Sequence, residues 1–244
     1  MFHKVKNLKE GAFVLGDAHY ARTRRPQLLS FFEAIEKDIL QPTQIILLGD
    51  IFDSLFTQVD STLKENQKLI DLLCKISQKV DCVYFEGNHD FNLTSIFPFM
   101  DVIPIQNQPM LFQYKEKNIY FSHGDFSGDR LYKLYTWLIR NRFLLKAIAL
   151  VDKVGSHFIL KRLEHHLKKK EDCKEITHFR SIVKQRNLSK YQCDYFVDGH
   201  YHQNKTVEFS EFIYINLAAF ACNQRYFIVK SSNDKELFEE KIFS

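Results

Sequence analysis

The chain has 244 residues, 45% of them hydrophobic and 26% charged, with 23 Phe and 11 Tyr; this excludes a disordered, collagen-like or low-complexity polypeptide and allows a sizeable core. The formal charge of +4 is local in origin: from Arg130 to Lys170 eleven Lys or Arg face two acids, Asp152 and Glu164, so the rest of the chain is net acidic. Five cysteines without a Cys-x-x-Cys spacing indicate neither a disulfide framework nor a zinc knuckle and fit a reducing cytoplasm, and the most apolar stretch, 143–151, is too short to span a bilayer.

In chain order, the apolar run 12–15 reads as a strand. Pro26 then suits the first turn of a helix carrying Leu28, Leu29, Phe32, Ile35 and Ile39. A second run, 45–48, precedes a helix over 63–80, where Leu69, Leu72, Leu73 and Ile76 recur at helical spacing, and a third run follows at 82–85. This β-α-β-α-β opening predicts a layered α/β protein, and continuous apolar runs predict strands buried on both faces. A fourth run lies at 119–121. After Asp125 a proline-free region rich in leucine, aromatics and bases extends to about Asn187 and reads as an insertion of several helices. Strand texture returns at 195–197, 206–209, 212–217, 226–229 and near 236–243.

Each of five runs stops at polar residues: Gly16-Asp17-Ala18-His19, Gly49-Asp50-Ile51-Phe52-Asp53, Gly87-Asn88-His89-Asp90, Ser122-His123-Gly124-Asp125 and Gly199-His200-Tyr201-His202. Five of the eight glycines and five of the ten histidines fall in these tips. Ligands of open α/β sheets bind beyond the carboxyl ends of the strands, where glycine permits close backbone approach. Asp, Asn and His converging there make a cation site suited to borderline metals, and seven candidate ligands exceed what one ion needs, pointing to a two-metal site for phosphoryl chemistry. Taken singly, an Asp after a strand is more often a turn residue or helix cap, and a lone His a surface or satisfied core group. Five such tips in order outweigh both readings. His157, His165, His166 and His178 match no constellation and read as surface or lid residues, and Cys74 and Cys82 as core packing.

The ordered series Asp-x-His, Gly-Asp-x-x-Asp, Gly-Asn-His-Asp, His and Gly-His-x-His, spanning residues 17–202, resembles the calcineurin-like metallophosphoesterase superfamily. The resemblance implies a two-sheet α/β/β/α sandwich, one domain over 1–244 with a helical lid insertion at about 129–187, and a metal-dependent hydrolase of phosphoric ester or pyrophosphate bonds. By motif position it implies a first metal on Asp17, His19, Asp50 and His202 and a second on Asp50, Asn88, His123 and His200. Asp50 bridges them, and manganese is favoured over iron or zinc. The implied mechanism is that two cations polarise the phosphoryl oxygens and lower the pKa of a shared water toward about 7, giving a hydroxide that attacks phosphorus in line. His89 is then the acid or charge stabiliser at the leaving oxygen, oriented by Asp90, and Asp53 supports the site.

Within the superfamily the chain is similar to the UDP-2,3-diacylglucosamine hydrolases of lipid A biosynthesis, pyrophosphatases peripheral to the cytoplasmic face of the inner membrane. Gly-Asn-His-Asp-Phe at 87–91, Ser-His-Gly-Asp leading into Asp129-x-x-Tyr132, and the basic aromatic insertion before Gly-His-x-His carry the likeness. It implies an acylated sugar-nucleotide substrate contacted by Asn88, Tyr132 and Lys174. Two departures stand out: that family usually has Arg where this chain has His89, and Arg-Pro where it has Gln203-Asn204.

The insertion has a physics of its own. Leu131, Leu134, Tyr135, Leu138, Leu144, Leu145, Ile148, Val151, Phe158, Ile159 and Leu163 are too many apolar residues for a solvated helical pair and must bury against something. Interleaved with Arg140, Arg142, Lys146, Lys161, Arg162 and the lysines at 168–170, they suit a basic amphipathic surface that meets anionic lipid and admits acyl chains. A soluble nucleotide or other phosphate ester is the rival substrate, a nuclease ranks third, and a non-enzymatic scaffold is disfavoured by the intact ligand series. Nucleic acid is not the expected partner.

Overall fold

The computed structural model describes residues 5–21, 26–128, 130–155, 158–159, 161–162, 165, 173–230 and 236–244. Asp129, His157, Leu163, His166 and the lysines at 168–170 lie outside the described residues.

Two six-stranded sheets stack face to face. The first holds β14 (Phe238–Ile242), β13 (Arg225–Val229), β2 (Phe13–Leu15), β3 (Ile45–Leu47), β5 (Cys82–Phe85) and β7 (Asp101–Ile103), in that order. Strands β2, β3, β5 and β7 run parallel, with β7 at one edge, and β13 and β14 close the other edge antiparallel. The second sheet is ordered β1 (Lys6–Asn7), β8 (Met110–Tyr114), β9 (Lys117–Ser122), β10 (Tyr195–Asp198), β12 (Ile213–Asn216) and β11 (Lys205–Glu208), with β9, β10 and β12 parallel. A small parallel ladder joins β4 (Leu55–Phe56) to β6 (Asp90–Phe91).

Alternation along each strand builds the layers. In β2, Phe13 and Leu15 face the core under helices α1 (Pro26–Glu36) and α2 (Asp60–Ser77), whereas Val14 joins Ile46, Val83, Phe85, Phe121 and Val197 between the sheets. In β10, Tyr195 and Val197 turn to that inner core, and Phe196 turns outward to Tyr214, Phe179 and Val183. Strands buried on both faces are therefore apolar without a break, as the sequence predicts. The result is the α/β/β/α sandwich, with α5 (Phe179–Gln185) on the outer face of the second sheet.

Several expectations need adjustment. Helix α1 stops at Glu36; Asp38 takes a left-handed φ of 59° and Ile39 is exposed rather than part of the apolar face. Helix α2 spans Asp60–Ser77, three residues earlier at each end than predicted, with Asp60 in its first turn and Lys75 in its last, both matched to the helix dipole. Short strands β1, β4, β6, β7 and the longer β8 carry no clear signal in the sequence. The expected insertion divides. Helices α3 (Arg130–Arg140) and α4 (Arg142–Val154) pack on each other across Asn141, whose side chain caps α4 by accepting from the Phe143 and Leu144 amides, while α5 belongs to the sandwich. No helix among the described residues is long and apolar enough to cross a membrane.

Two findings run against the sequence reading. Cys173 and Cys222 form a disulfide, 49 residues apart in sequence, where no bridge was expected. Counting cysteines and local spacings is blind to this pair, because only the return of the chain after the insertion brings Cys173 to helix α6 (Phe220–Asn223). The other finding is that, among the described residues, most of the insertion's apolar side chains do not bury within this chain: Leu131 is 76% and Phe143 86% exposed, Leu134, Trp137 and Val151 are likewise open, and of the described residues predicted to bury Leu145 alone is buried.

Candidate metal centre

The five tips meet at one end of the sandwich, and the backbone there is unusual. Asp17, His19, Asp50, His200 and His202 all have positive φ, between 48° and 62°. Asp and His tolerate this region better than most residues, yet left-handed backbone still costs on the order of 1–2 kcal/mol per non-glycine residue. Such a run of outliers is what strained functional sites show. Two glycines make the convergence possible: a Cβ at Gly87 would overlap the Asp50 carboxylate, and one at Gly199 would overlap that of Asp17.

Side chains from different tips then fall into three groups of potential ligand atoms, each group within 4.8 Å: Asp17, His19 and His202; His19, Asp50 and His89; and Asp50, His123 and His200. Asp50 belongs to two of them. The Asn88 Oδ1 lies 3.2 Å from His123 Nε2, which is also 3.4 Å from Asp50 Oδ2. All seven predicted ligands are thus brought together. Tyr132 sits on α3 with its hydroxyl donating to Asp125 Oδ2 at 3.1 Å. Lys174 is exposed; its carbonyl accepts from Gln203 Nε2 at 3.0 Å, one residue past His202.

The donor set fits divalent cations. His123 Nδ1–H donates to the Leu48 carbonyl at 2.7 Å, a backbone partner that fixes the ring and turns Nε2 toward two oxygens. His19 Nε2 is buried without a hydrogen-bond partner, and Asp17 Oδ1 is buried with only the His202 Nε2 ring nitrogen, 3.1 Å away, to meet it, which is costly unless something else satisfies them. Electrostatics agree. Burial keeps His19 neutral, its pKa well below the ordinary value, and lowers His200 to about 4, as neutral imidazole ligands require. Burial would also raise the Asp50 carboxyl, but the His123 and His89 rings outweigh it and hold Asp50 well below the usual range. Burial disfavours a charged His123 too, yet Asp50 draws it well above the ordinary value, so that a proton stands where a cation would.

Supporting residues lock the tips. The Asp90 carboxylate accepts from the backbone amides of Asp50, Ile51, Phe52 and Gly87 and from the Tyr84 hydroxyl, at 2.7–3.1 Å. Burial, then the Asp50 charge, nevertheless push it up to about 7. Its grip is thus on the second and third tips, while the His89 Nδ1 lies 2.9 Å from the carbonyl of Asp53, which replaces Asp90 as the partner that orients the ring. Asp53 also sets its carboxylate 3.4 Å from His19 Nδ1. Beneath the fourth and fifth tips Arg186 donates to Asp198 at 2.6 Å and to the Gly124 carbonyl at 3.0 Å, and Asp198 accepts from Tyr214 and Asn216. Gln203 ties the last tip to the returning insertion by accepting from the Ile176 amide at 2.6 Å. Arg186, Asn216 and Gln203 were not singled out as site residues in the sequence, since none belongs to a tip motif. The one usable signal was Asp198, a charge closing an apolar run directly before Gly199.

Residues 12–204 match the family model for calcineurin-like phosphoesterases. Among curated proteins, the chain is similar to a UDP-2,3-diacylglucosamine hydrolase of Photorhabdus laumondii, 23% identical over 78% of this chain and 80% of that one. A second, from Blochmanniella floridana, is 23% identical over 91% of this chain and 92% of that one. Among solved structures, a dimetal phosphatase from Danio rerio is 13% identical, covering 97% of this chain and 100% of that one at a TM-score of 0.46.

Proposed function

Because the chain belongs to the calcineurin-like phosphoesterase family and is a metal-dependent phosphoester hydrolase, we propose that its substrate is UDP-2,3-diacylglucosamine, cleaved at the pyrophosphate to UMP and 2,3-diacylglucosamine 1-phosphate. One observation carries the choice of an acylated substrate. The pair α3 and α4 keeps Leu131, Leu134, Phe143 and Val151 exposed beside a metal centre that α3 touches directly, through an Arg140 Nη2 bond of 2.7 Å to the Gly87 carbonyl. Acyl chains on that surface bury apolar area that the protein alone leaves in water. The same basic, apolar face suits peripheral contact with the anionic membrane that holds such a lipid.

In this reading Asp17, His19, Asp50 and His202 would hold one divalent cation and Asp50, Asn88, His123 and His200 a second, with manganese the favoured ion. Bound there, the ions supply Lewis acidity to the phosphoryl oxygens and to a water. The protein's own groups do the rest. The Leu48 carbonyl keeps the His123 ring turned inward, and Asp53 anchors both His19 and His89. His89, whose Nε2 is 3.9 Å from Asp50 Oδ2, supplies a proton or positive charge at the bridging oxygen. The water's oxygen goes to the uridylyl phosphorus, the bridging oxygen leaves with the sugar phosphate, and the water's protons pass to products or solvent.

The test is direct. Manganese-loaded protein is incubated with UDP-2,3-diacylglucosamine and with UDP-glucosamine. UMP and a lipid monophosphate are expected from the first at a much higher kcat/KM than from the second. No product from the acylated compound overturns the reading; equal efficiency on both favours a soluble ester.

A further inference from the structure

Arg140, the last residue of α3, is buried and grips the third tip at both ends of its turn. Its Nη2 donates to the Gly87 carbonyl at 2.7 Å, and its own carbonyl accepts from the Asn92 side-chain amide at 3.1 Å. Asn88 and His89 stand between those anchors. The same Nη2 is 3.6 Å from Asp125 Oδ2, on the fourth tip just past His123, and the guanidinium lies over the Phe91 ring at 5.0 Å from its centre. Arg140 thus reaches the two tips that carry Asn88 and His123, whose Oδ1 and Nε2 are 3.2 Å apart. These tips leave different sheets, one after β5 and the other after β9.

The group that is held decides what the contact does. The Gly87 carbonyl belongs to the planar peptide that ends at the Asn88 Cα, so fixing that oxygen fixes the base from which the Asn88 side chain departs. Glycine by itself leaves the plane free to turn, because no Cβ restricts it, and a buried carbonyl requires a donor. Gln108 ties the same two tips from within the sandwich, donating to the Glu86 carbonyl at 2.8 Å and accepting from the His123 amide at 2.7 Å. That bond sets the peptide before Gly87, and Arg140 sets the one after it. Ligands of the other ion are anchored without α3. The Ala221 amide donates to the Asp17 carbonyl at 3.1 Å, the His19 amide to the Asp50 carbonyl at 3.0 Å, and the Gln203 amide, next to His202, to Asn216 Oδ1 at 2.8 Å. We propose that Arg140 is a positioning residue for the second ion, holding Asn88 against His123 by clamping the Gly87–Asn88 peptide from α3. The inference rests on the two-ion ligand assignment above, and adds that occupancy of one of those sites depends on the helical insertion.

Calorimetric titration of the metal-stripped protein with manganese tests it. The unaltered chain should take up two ions. In Arg140→Met one ion should keep its affinity while the other binds about ten- to a hundredfold more weakly, the usual cost of losing a group that orients a ligand. Electron paramagnetic resonance should then show the spectrum of a spin-coupled pair giving way to that of an isolated ion at the same manganese concentration. Arg140→Lys, which keeps the charge on a shorter stem without the planar fork, should fall between the two. Unchanged binding of both ions in Arg140→Met overturns the proposal. Parallel weakening of both also overturns it, reducing Arg140 to a prop of the fold. Should the methionine variant not fold, the lysine variant decides: weakening confined to one ion supports the role, and two ions bound as in the unaltered protein, or both weakened alike, overturn it. An unaltered protein that binds fewer than two ions sinks the ligand assignment and this inference with it, whereas two ions bound equally well by every variant sink this inference alone.

Discussion

The strand tips and the helical pair α3–α4 stand side by side and are built on opposite principles. At the tips buried polar groups pin the backbone while ligand atoms such as His19 Nε2 are left open: Asp90 collects four amides and a phenol, Arg186 spans Asp198 and Gly124, and glycines remove the last obstructions. The helical pair instead leaves leucines, Trp137 and Phe143 in solvent and touches the centre mainly through Arg140. Chemistry demands preorganised donors, because reorganisation during reaction is costly. Capture of a bulky apolar group demands an unsatisfied surface. In the proposed reading the molecule separates these demands into a rigid sandwich and an incompletely buried appendage.

Substitutions can break this division. Asp50 belongs to both halves of the ligand constellation, so Asp50→Asn should lower kcat by about 10³- to 10⁴-fold, given several kcal/mol of Lewis-acid stabilisation at 1.36 kcal/mol per decade. Elemental analysis should find less than one bound metal per chain. Next, His89→Gln should reduce kcat by about 10²- to 10³-fold, the ordinary range for a lost general acid. Metal content should stay unchanged, which separates its role from that of the ligands. Cys222→Ser should weaken folding by about 2–4 kcal/mol, the usual worth of a bridge closing a loop of this size, as read from urea denaturation under oxidising conditions. The smallest effect sharpens the contrast. Leu131→Glu with Phe143→Glu should raise KM for the acylated compound at least tenfold, since even one apolar side chain buried is worth about 1.5–3 kcal/mol and each 1.36 kcal/mol is a decade, without lowering the melting temperature. A large loss of stability in that double variant would mean the helices are packed core rather than a receptive surface.

How far the sequence reveals this follows from the same contrast. The tips were legible because a strand buried on both faces is an unbroken apolar run, and the first polar residue after it has few places to point. Asp17 and Asp50 could be read from that rule, and Asn88, His123 and His200, which stand behind Glu86, Ser122 and Asp198, from the order of the motifs. What could not be read depends on non-local closure. Nothing near Cys173 marks Cys222 as its partner, and nothing in the α3 pattern separates Arg140, which turns inward, from the basic residues around it that face water. The exposure of Phe143 was also illegible, since periodicity reports that a helix has an apolar face and not whether the chain supplies a cover for it.

The left-handed backbone at five donors has a consequence for the protein's life in a cell. That conformation is held at a standing expense which a bound ion would return, so the ion-free polypeptide is the less stable species, by RT ln(1 + [L]/Kd) relative to the loaded one. Unfolded fractions govern turnover by proteases, and differences of 1–2 kcal/mol change abundance several-fold. Steady-state level should therefore follow the supply of the trace element, falling under chelation at constant transcript, which pulse-chase immunoblotting would show.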